Sequence, residues 1–452
     1  MNIQYSERKL NRETEYGKPY IWAYINLEKN KRMSQFKYQS HHGMVDILPG
    51  ESEKWAYLEN MIRETAIEFN FSEIRTPILE QTELIARGVG QLTDIVSKEM
   101  FTFDRGDDHY VLRPECTAPV ARAYTEHHLD QRGGVQKLFY IGPMFRAERP
   151  QKGRQRQFHQ FGAELIGSAD PVADVETIRF MMRIYEKLQI SNTVLQINSV
   201  GDPESRKAYK EALQNYFRPH FDKLSDISQS RFETNPMRIL DSKEPEDKKL
   251  VDDAPCISEY LNEECRTHFD SVKAMLLNLD VPFVENPLLV RGLDYYTKTA
   301  FELTSPDLGS QDALGGGGRY DLLIEEIGGK PTPAVGFACG MERLMIACEA
   351  LNISLGEPQS PKVYIITRGD AAVQWAVKTL DNLRSLKISS TMDFSGRSIK
   401  AQLKDANRQN AAFAIIVGDS ELESEKFTFR NMQASEETSL SIHEIITKLT
   451  SE

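Results

Sequence analysis

Apolar positions along the chain follow two periods, and the order in which they alternate lays out the fold. Trp55, Leu58, Ile62, Ala66 and Phe69 recur at helical spacing after Pro49-Gly50, which predicts a helix. EIRTPILEQTELIARG predicts a strand and then a helix, and ADVETIRFMMRIYEKL an amphipathic helix. Residues 98 to 167 read mostly as strands and turns. From about 200 to 285 the chain becomes helical and charged and is interrupted by DSKEPEDKK, the composition of an inserted helical module. Strand patterning resumes at 288 and runs through RGLDYYTKTAFE, LGGGGRYDLLIEEIGG and AVGFACGMERLMIACEAL, the last a short strand entering a helix at about Met341. After the linker GEPQSPK, KVYIITRG, ISSTMDF and AFAIIVGD alternate with two helical stretches, which predicts βαβ units. The pattern describes an α+β chain, with a large antiparallel part first and a small α/β domain last.

Composition narrows this picture only a little. The 452 residues suffice for two to four domains, and 40% hydrophobic with 27% charged residues is ordinary globular usage. No run of about 18 apolar residues occurs, so no membrane span is expected. The five cysteines, Cys116, Cys256, Cys265, Cys339 and Cys348, are odd in number and lack CxxC spacing. They suggest neither a disulfide framework nor a zinc site, and fit a reducing cytoplasm. A net charge of −12 argues against a chain that coats nucleic acid indiscriminately, yet leaves room for a local basic patch. Residues 1–32 have no apolar signal core, and Glu7, Glu13, Glu15 and Glu28 argue against a transit peptide. They read as an upstream extension, expected to be poorly ordered.

The chemistry concentrates in five segments. In the hairpin from 138 to 167, Met144, Arg146 and Glu148 share one strand face, as do Phe158, Gln160, Gly162 and Glu164 on the return strand. Phe161, Ala163 and Leu165 point to a core. An arbitrary hairpin with such a polar face is most often half-solvated. Here, however, PQKGRQRQ joins the strands, with Lys152, Arg154 and Arg156 around a glycine, too long for a tight turn and suited to phosphates. LRPECTAP also alternates, grouping Arg113, Glu115 and Thr117. RGLDYYTKTAFE brings Arg291, Tyr295 and Tyr296, and its alternation sets Tyr295, Thr297, Thr299 and Phe301 against Tyr296, Lys298, Ala300 and Glu302. GGGGRYD lacks the GK[ST] ending of a P-loop. It reads equally as a tight turn or as a floor on which a ligand lies flat beside Tyr320. Arg343 falls in the first turn of a helix, where free N–H groups and a planar guanidinium both favour phosphate. Together these supply arginines for a polyphosphate, an aromatic for a base, and acids and phenols for an amine-bearing substrate. ATP meeting an amino acid fits that set.

These segments resemble the histidyl-tRNA synthetase family of class II aminoacyl-tRNA synthetases from about Gly43 to the end. RTPILEQTELI is similar to the first class II motif, with Pro77 near a dimer interface; MFRAERPQKGRQRQFHQFGAE to the second; and GFACGMERL to the third. RGLDYYT and LGGGGRYD resemble the two histidine-specific motifs, which are far more specific than the general class II pattern. GRSIKAQLKDANRQNAAFAIIVGDSE resembles the anticodon-binding module. The implied organisation is an extension at 1–32, a catalytic domain at 33–204 and 284–355 built on an antiparallel sheet flanked by helices, an insertion at 205–283, and an anticodon-binding domain at 361–452.

The resemblance implies roles residue by residue. Arg146 holds the α-phosphate and Arg343 the γ-phosphate, Arg154 touches the triphosphate, and Phe158 stacks on adenine with Glu148 near its amino group. Glu115 and Thr117 hold the α-amino group of histidine. Gln160, Glu164, Tyr295 and Tyr296 line the amino-acid pocket, with Tyr320 beside them. Glu164 and Tyr296 then each pair one imidazole nitrogen, and Arg291 meets the carboxylate and α-phosphate where the new bond forms. Asp294 holds its neighbours. Arg146, Arg291 and Arg343 are the implied catalytic set, with Mg²⁺ carried by ATP rather than by a protein-only ligand cluster. The implied partners are L-histidine, its tRNA (with the loop holding Gln151 and Lys152 facing the acceptor end) and a second copy of the chain. Cys116 departs from the glycine common in the family, and HHGMVDILPGE from the commoner GTQDILPGE. A non-charging relative, the regulatory subunit of ATP phosphoribosyltransferase, is the alternative. It typically lacks the anticodon domain and degrades the adenylation motifs.

Overall fold

Eight strands make the sheet that carries the site. In the computed structural model they are β1 (Ser72–Glu73), β5 (Gln136–Phe145), β6 (Gln157–Ile166), β7 (Val194–Ser199), β8 (Phe283–Glu285), β9 (Thr297–Thr304), β10 (Ala313–Arg319) and β11 (Ala334–Gly340). They lie in the order β1-β5-β6-β11-β10-β9-β7-β8, and every pairing is antiparallel except at the two edges. The structure describes residues 37–451 apart from Gln91, Leu92, Asp94, Lys152, Lys243, Glu357 and Pro358. The expected extension at 1–32 and the expected role of Lys152 therefore lie outside the described residues.

Register explains how the sheet acquires two characters. Phe158, Gln160, Gly162 and Glu164 of β6 pair with Met144, Gly142, Tyr140 and Leu138 of β5. Toward the sheet centre, Glu164, Gly162 and Gln160 pair with Gly336, Ala338 and Gly340 of β11. Gly318 and Gly316 of β10 follow, then Ala300 and Glu302 of β9. Directly paired residues share a face, so this face is paved with glycine where β10 and β11 cross it. The opposite face carries Phe161, Ala163, Leu165 and Phe337, buried under the helix Pro171–Lys187, whose Phe180 meets the Phe337 ring edge-on at 5.5 Å. The glycine run is thus a central strand and not a turn. A Cβ on Gly318 would meet Thr299 O at 2.6 Å and Tyr296 Cδ1 at 2.8 Å, so the neighbouring strand's backbone and the Tyr296 ring occupy the space a residue there would fill.

Three sequence expectations change. LRPECTAP does not continue a strand: β4 (Asp108–Leu112) ends at its first residue, and Thr117–Glu126 is a helix. Pro119 falls in the first turn, where no N–H is required, and Ala118, Ala121 and Ala123 favour helix. The alternation through RGLDYYTKTAFE also breaks, because β9 begins only at Thr297 and a bulge at Lys298, φ +49°, shifts the register between Gly318 and Arg319. Finally, the last helix expected in the insertion, Glu263–Asn278, packs on Pro171–Lys187, and β8 extends the sheet. Its buried His268 reaches Asp174, which also binds Arg319. A small antiparallel sheet, β2 (Leu79–Gln81), β4 and β3 (Phe101–Arg105), accompanies the large one.

The chain separates into two units, the second formed by Ser354–Glu452 with Leu48–Tyr57. In its five-stranded sheet β12 (Val363–Thr367) lies between β13 (Ser390–Met392) and β14 (Phe413–Val417), both parallel to it. The hairpin of β15 (Phe427–Asn431) and β16 (Glu436–Leu440) continues it antiparallel, an addition to the expected βαβ pattern. Helices Asp370–Ser385, Ile399–Arg408 and Ile442–Ser451 complete this α/β unit.

Candidate active site

Two adjoining cavities open on the glycine-paved face. The larger, about 400 Å³, is lined by Arg146, Glu148, Arg154, Phe158 and Arg343. The smaller, about 190 Å³, is lined by Glu115, Thr117, Tyr295, Tyr296 and Tyr320. Arg146, Gln160 and Arg291 line both. The structure thus gathers the sequence-predicted residues at one place, with Glu164 the exception.

The larger cavity is rich in arginine, with carboxylates among them. Arg146 follows the end of β5, donates from Nε to Pro114 O at 2.9 Å, and lays its guanidinium over the Phe158 ring at 5.2 Å. Arg343 occupies the first turn of the helix Met341–Ala350 and donates to Ala313 O at 2.7 Å. Burial, followed by the like charge of Arg154, lowers its pKa against the opposing pull of Glu302 and Glu148. Its neighbour Glu342 instead accepts from His159 N at 2.9 and 3.0 Å, which ties the helix to β6. Arg154 Nη1 lies 3.4 Å from Glu148. Arg291 donates from Nη1 to Glu302 at 2.8 Å, while its buried Nε and the buried Oε1 of Gln160 have no hydrogen-bond partner. An unused donor and an unused acceptor on the shared wall suit a ligand that crosses from one cavity to the other.

The smaller cavity is built on a helix start. Glu115 accepts from the backbone N–H groups of Thr117, 2.6 Å, and Ala118, 2.9 Å. It thereby satisfies orphan donors of Thr117–Glu126, and burial raises its carboxyl pKa. Tyr295 sits 4.6 Å from Tyr296 and 5.6 Å from Tyr320, ring centre to ring centre. Glu164 lies one layer below. It is wholly buried, lines neither cavity, and accepts from Thr117 Oγ1 at 2.7 Å and Tyr320 OH at 2.6 Å. Its carboxyl packs where Gly336 has no side chain, and it is hydrogen-bonded to two hydroxyls, those of Thr117 and Tyr320, whose residues line the cavity. Burial pushes its pKa up to about 8.

Cys116 points away from both cavities, with Sγ 3.5 Å from Thr76 Oγ1 and its thiol pushed up to about 12 by burial. Asp294 braces the loop, accepting from Asn235 at 3.1 Å. Glu302 and Arg238 are additional residues of the larger cavity. The first was legible, two positions from Ala300 in a strand already singled out. The second comes from the inserted module and had no local signal. Among the described residues no group of three or more His, Cys, Asp or Glu could hold a metal.

The family model described as Histidyl-tRNA synthetase matches residues 43–344, and that described as Anticodon binding domain matches 362–452. A Histidine--tRNA ligase of Chloroherpeton thalassium is 49% identical over 420 residues, covering 92% of this chain and 98% of the relative. One of Natranaerobius thermophilus is 49% identical over 397 residues, 87% of this chain and 94% of the relative. The crystal structure of apo histidyl-tRNA synthetase from S. aureus is similar with a TM-score of 0.78 and 40% identity, covering 91% of this chain and 99% of that one.

Proposed function

The chain belongs to the histidyl-tRNA synthetase family, and from that premise we propose that it is a histidine–tRNA ligase that activates L-histidine with ATP and transfers it to its tRNA. The shared wall of the two cavities carries the reading. Arg146, Gln160 and Arg291 stand between a nucleotide-sized hollow rich in arginine and a phenol-lined pocket sized for one amino acid.

In the proposed reaction, histidine lies in the smaller cavity with its α-amino group at Glu115 and Thr117, and Tyr295, Tyr296, Gln160 and Tyr320 around the ring. ATP lies in the larger one with adenine on Phe158, its amino group near Glu148 and its phosphates toward Arg154 and Arg343. A carboxylate oxygen of histidine bonds to the α-phosphorus as the bond to the pyrophosphate oxygen breaks. Arg146 and Arg291 face the charge that gathers there, and their planar donors act in a partly dry site. The 3′ end of the tRNA then attacks the adenylate carbonyl and AMP leaves. No covalent enzyme intermediate is required, which suits a Cys116 thiol turned away from the site.

Mg²⁺ suits the larger cavity, where Glu148 and Glu302 offer carboxylate oxygens beside a site for phosphates. When bound, it offsets charge on the departing pyrophosphate. The match at 362–452 supports an anticodon-binding role for the second unit. That match and the convergence of Arg146, Arg154, Arg291 and Arg343 on one cavity leave the regulatory-subunit reading with less support. Pro77, Ile78, Leu79 and Phe103 are exposed on and beside the small sheet, which supports the proposed homodimer. The described cysteines are free and no described helix is long and apolar enough to cross a membrane; a cytoplasmic site of action is proposed on that basis. The test is exchange of labelled pyrophosphate into ATP. Exchange that depends on histidine is expected, and well-folded protein silent with histidine would overturn the reading.

A further inference from the structure

The loop that presents Arg291, Tyr295 and Tyr296 precedes β9, so no strand ladder serves its carbonyls. Three of them are taken by two arginines of the inserted module. Arg238 Nη1 reaches Arg291 O at 3.2 Å, and Arg206 Nη1 reaches Asp294 O at 3.3 Å and Tyr296 O at 3.0 Å. Asn235 of the same module donates to Asp294 Oδ1 at 3.1 Å. Arg238 is itself fixed by Asp241 at 2.7 Å. Tyr209, Leu213, Phe232 and Met237 of the module share one buried cluster with Tyr295 and Tyr296. Beside that cluster the space between module and loop is a cavity of about 580 Å³, lined by Arg206, Arg238, Asp294 and Tyr296 among others. The polar links span it.

We propose that Arg238, Arg206 and Asn235 are positioning residues for adenylation: the inserted module sets the place of Arg291 and of the two tyrosines by holding the loop's backbone. The inference rests on the activity proposed above. Its consequence is that seating of the module controls how completely the site forms. A module pulled away would release three carbonyls and let the Arg291 guanidinium drift from its line with Glu302. Misplacement of about 1 Å at a reacting centre can cost about 10²-fold in rate.

Pyrophosphate exchange by the full chain separates positioning from mere folding. Arg238→Ala is expected to lower kcat by about 10²-fold, while KM for ATP and for histidine each move by less than about threefold. Arg238→Lys should recover part of the loss. In an Arg291→Ala background, Arg238→Ala should add far less than it costs alone, because Arg238 holds the carbonyl of Arg291 itself and acts chiefly through that residue. Unchanged kcat, a loss confined to KM for ATP, or an equal loss in both backgrounds would each overturn the inference. Should Arg238→Ala fail to fold, Asn235→Ala carries the same test. An approximately tenfold fall in kcat supports the inference and an unchanged kcat overturns it. A wild-type chain silent with histidine would instead overturn the adenylation reading, and this inference with it.

Discussion

Arg291 is held by Glu302 through a 2.8 Å hydrogen bond from Nη1, which leaves its buried Nε as a free donor beside the cavities. The carboxylate aims the guanidinium along the floor of the site and keeps one edge of it open. Removal of the guanidinium should therefore cost far more than removal of its anchor. Arg291→Ala is expected to slow histidine-dependent pyrophosphate exchange by about 10²- to 10³-fold and to leave tRNA binding nearly intact. Glu302→Gln, which keeps an acceptor but loses the charge, should cost about tenfold.

The Phe158 ring faces the Arg146 guanidinium at 5.2 Å on the wall of the larger cavity. Phe158→Leu keeps apolar bulk and removes the π face, worth about 1–2 kcal/mol in a partly dry site. The expected result is a rise of about tenfold in KM for ATP, with KM for histidine unchanged in steady-state exchange assays.

Glu164 predicts a pH dependence of stability. Burial raises its pKa from 4.5 to about 8 in the folded chain. Between those values the folded state keeps a proton that the unfolded chain has lost, so this group's contribution to stability is full below pH 4.5. It is lost as the pH rises through about 8, at no more than about 1.4 kcal/mol per pH unit. Melting temperatures of ligand-free protein measured across pH 5 to 9 should carry this component, and Glu164→Gln should remove it. An identical pH profile for the two proteins would contradict it.

Cys116 gives a contrasting prediction. Its side chain packs by Thr76 and Arg113 and lines neither cavity. Cys116→Ala should leave both KM values within about twofold and lower stability by about 1 kcal/mol for the lost contact. Alkylating reagents should not inactivate the folded protein through Cys116, because a thiol with a pKa near 12 presents almost no thiolate. Melting curves and residual exchange after iodoacetamide treatment measure both.

Period and punctuation carried most of the architecture, because the structure's long elements obey them. Leu58, Ile62 and Ala66 line one buried stripe of the helix Ser52–Glu68, and β11 passes into the helix Met341–Ala350 where the pattern changes from two to three or four. Local pattern failed where a tertiary contact overrode it. Glu115 looked like a strand residue and is a cap for Thr117–Glu126, a role visible only once two backbone N–H groups are seen to turn toward it. Alternation sets Tyr295 and Tyr296 on opposite faces, yet they line one cavity, since both precede β9 in a loop where the two-residue period does not apply. Glu164 sat in the correct strand and on the correct face, yet depth below a surface is not encoded in period. Gly336 beside it, and not any property of Glu164, lets its carboxylate sink.

The glycines of β10 and β11 constrain how the pocket could be altered. A floor made of bare backbone cannot be recut by substitution, because a side chain added there meets neighbouring backbone as well as side chains that arrive from outside the strand. Selectivity for a different amino acid would have to be engineered in the overhanging walls, from Glu115, Thr117, the tyrosines or the module behind them. Libraries that randomise Gly316, Gly318 and Gly336 should return almost solely the starting sequence.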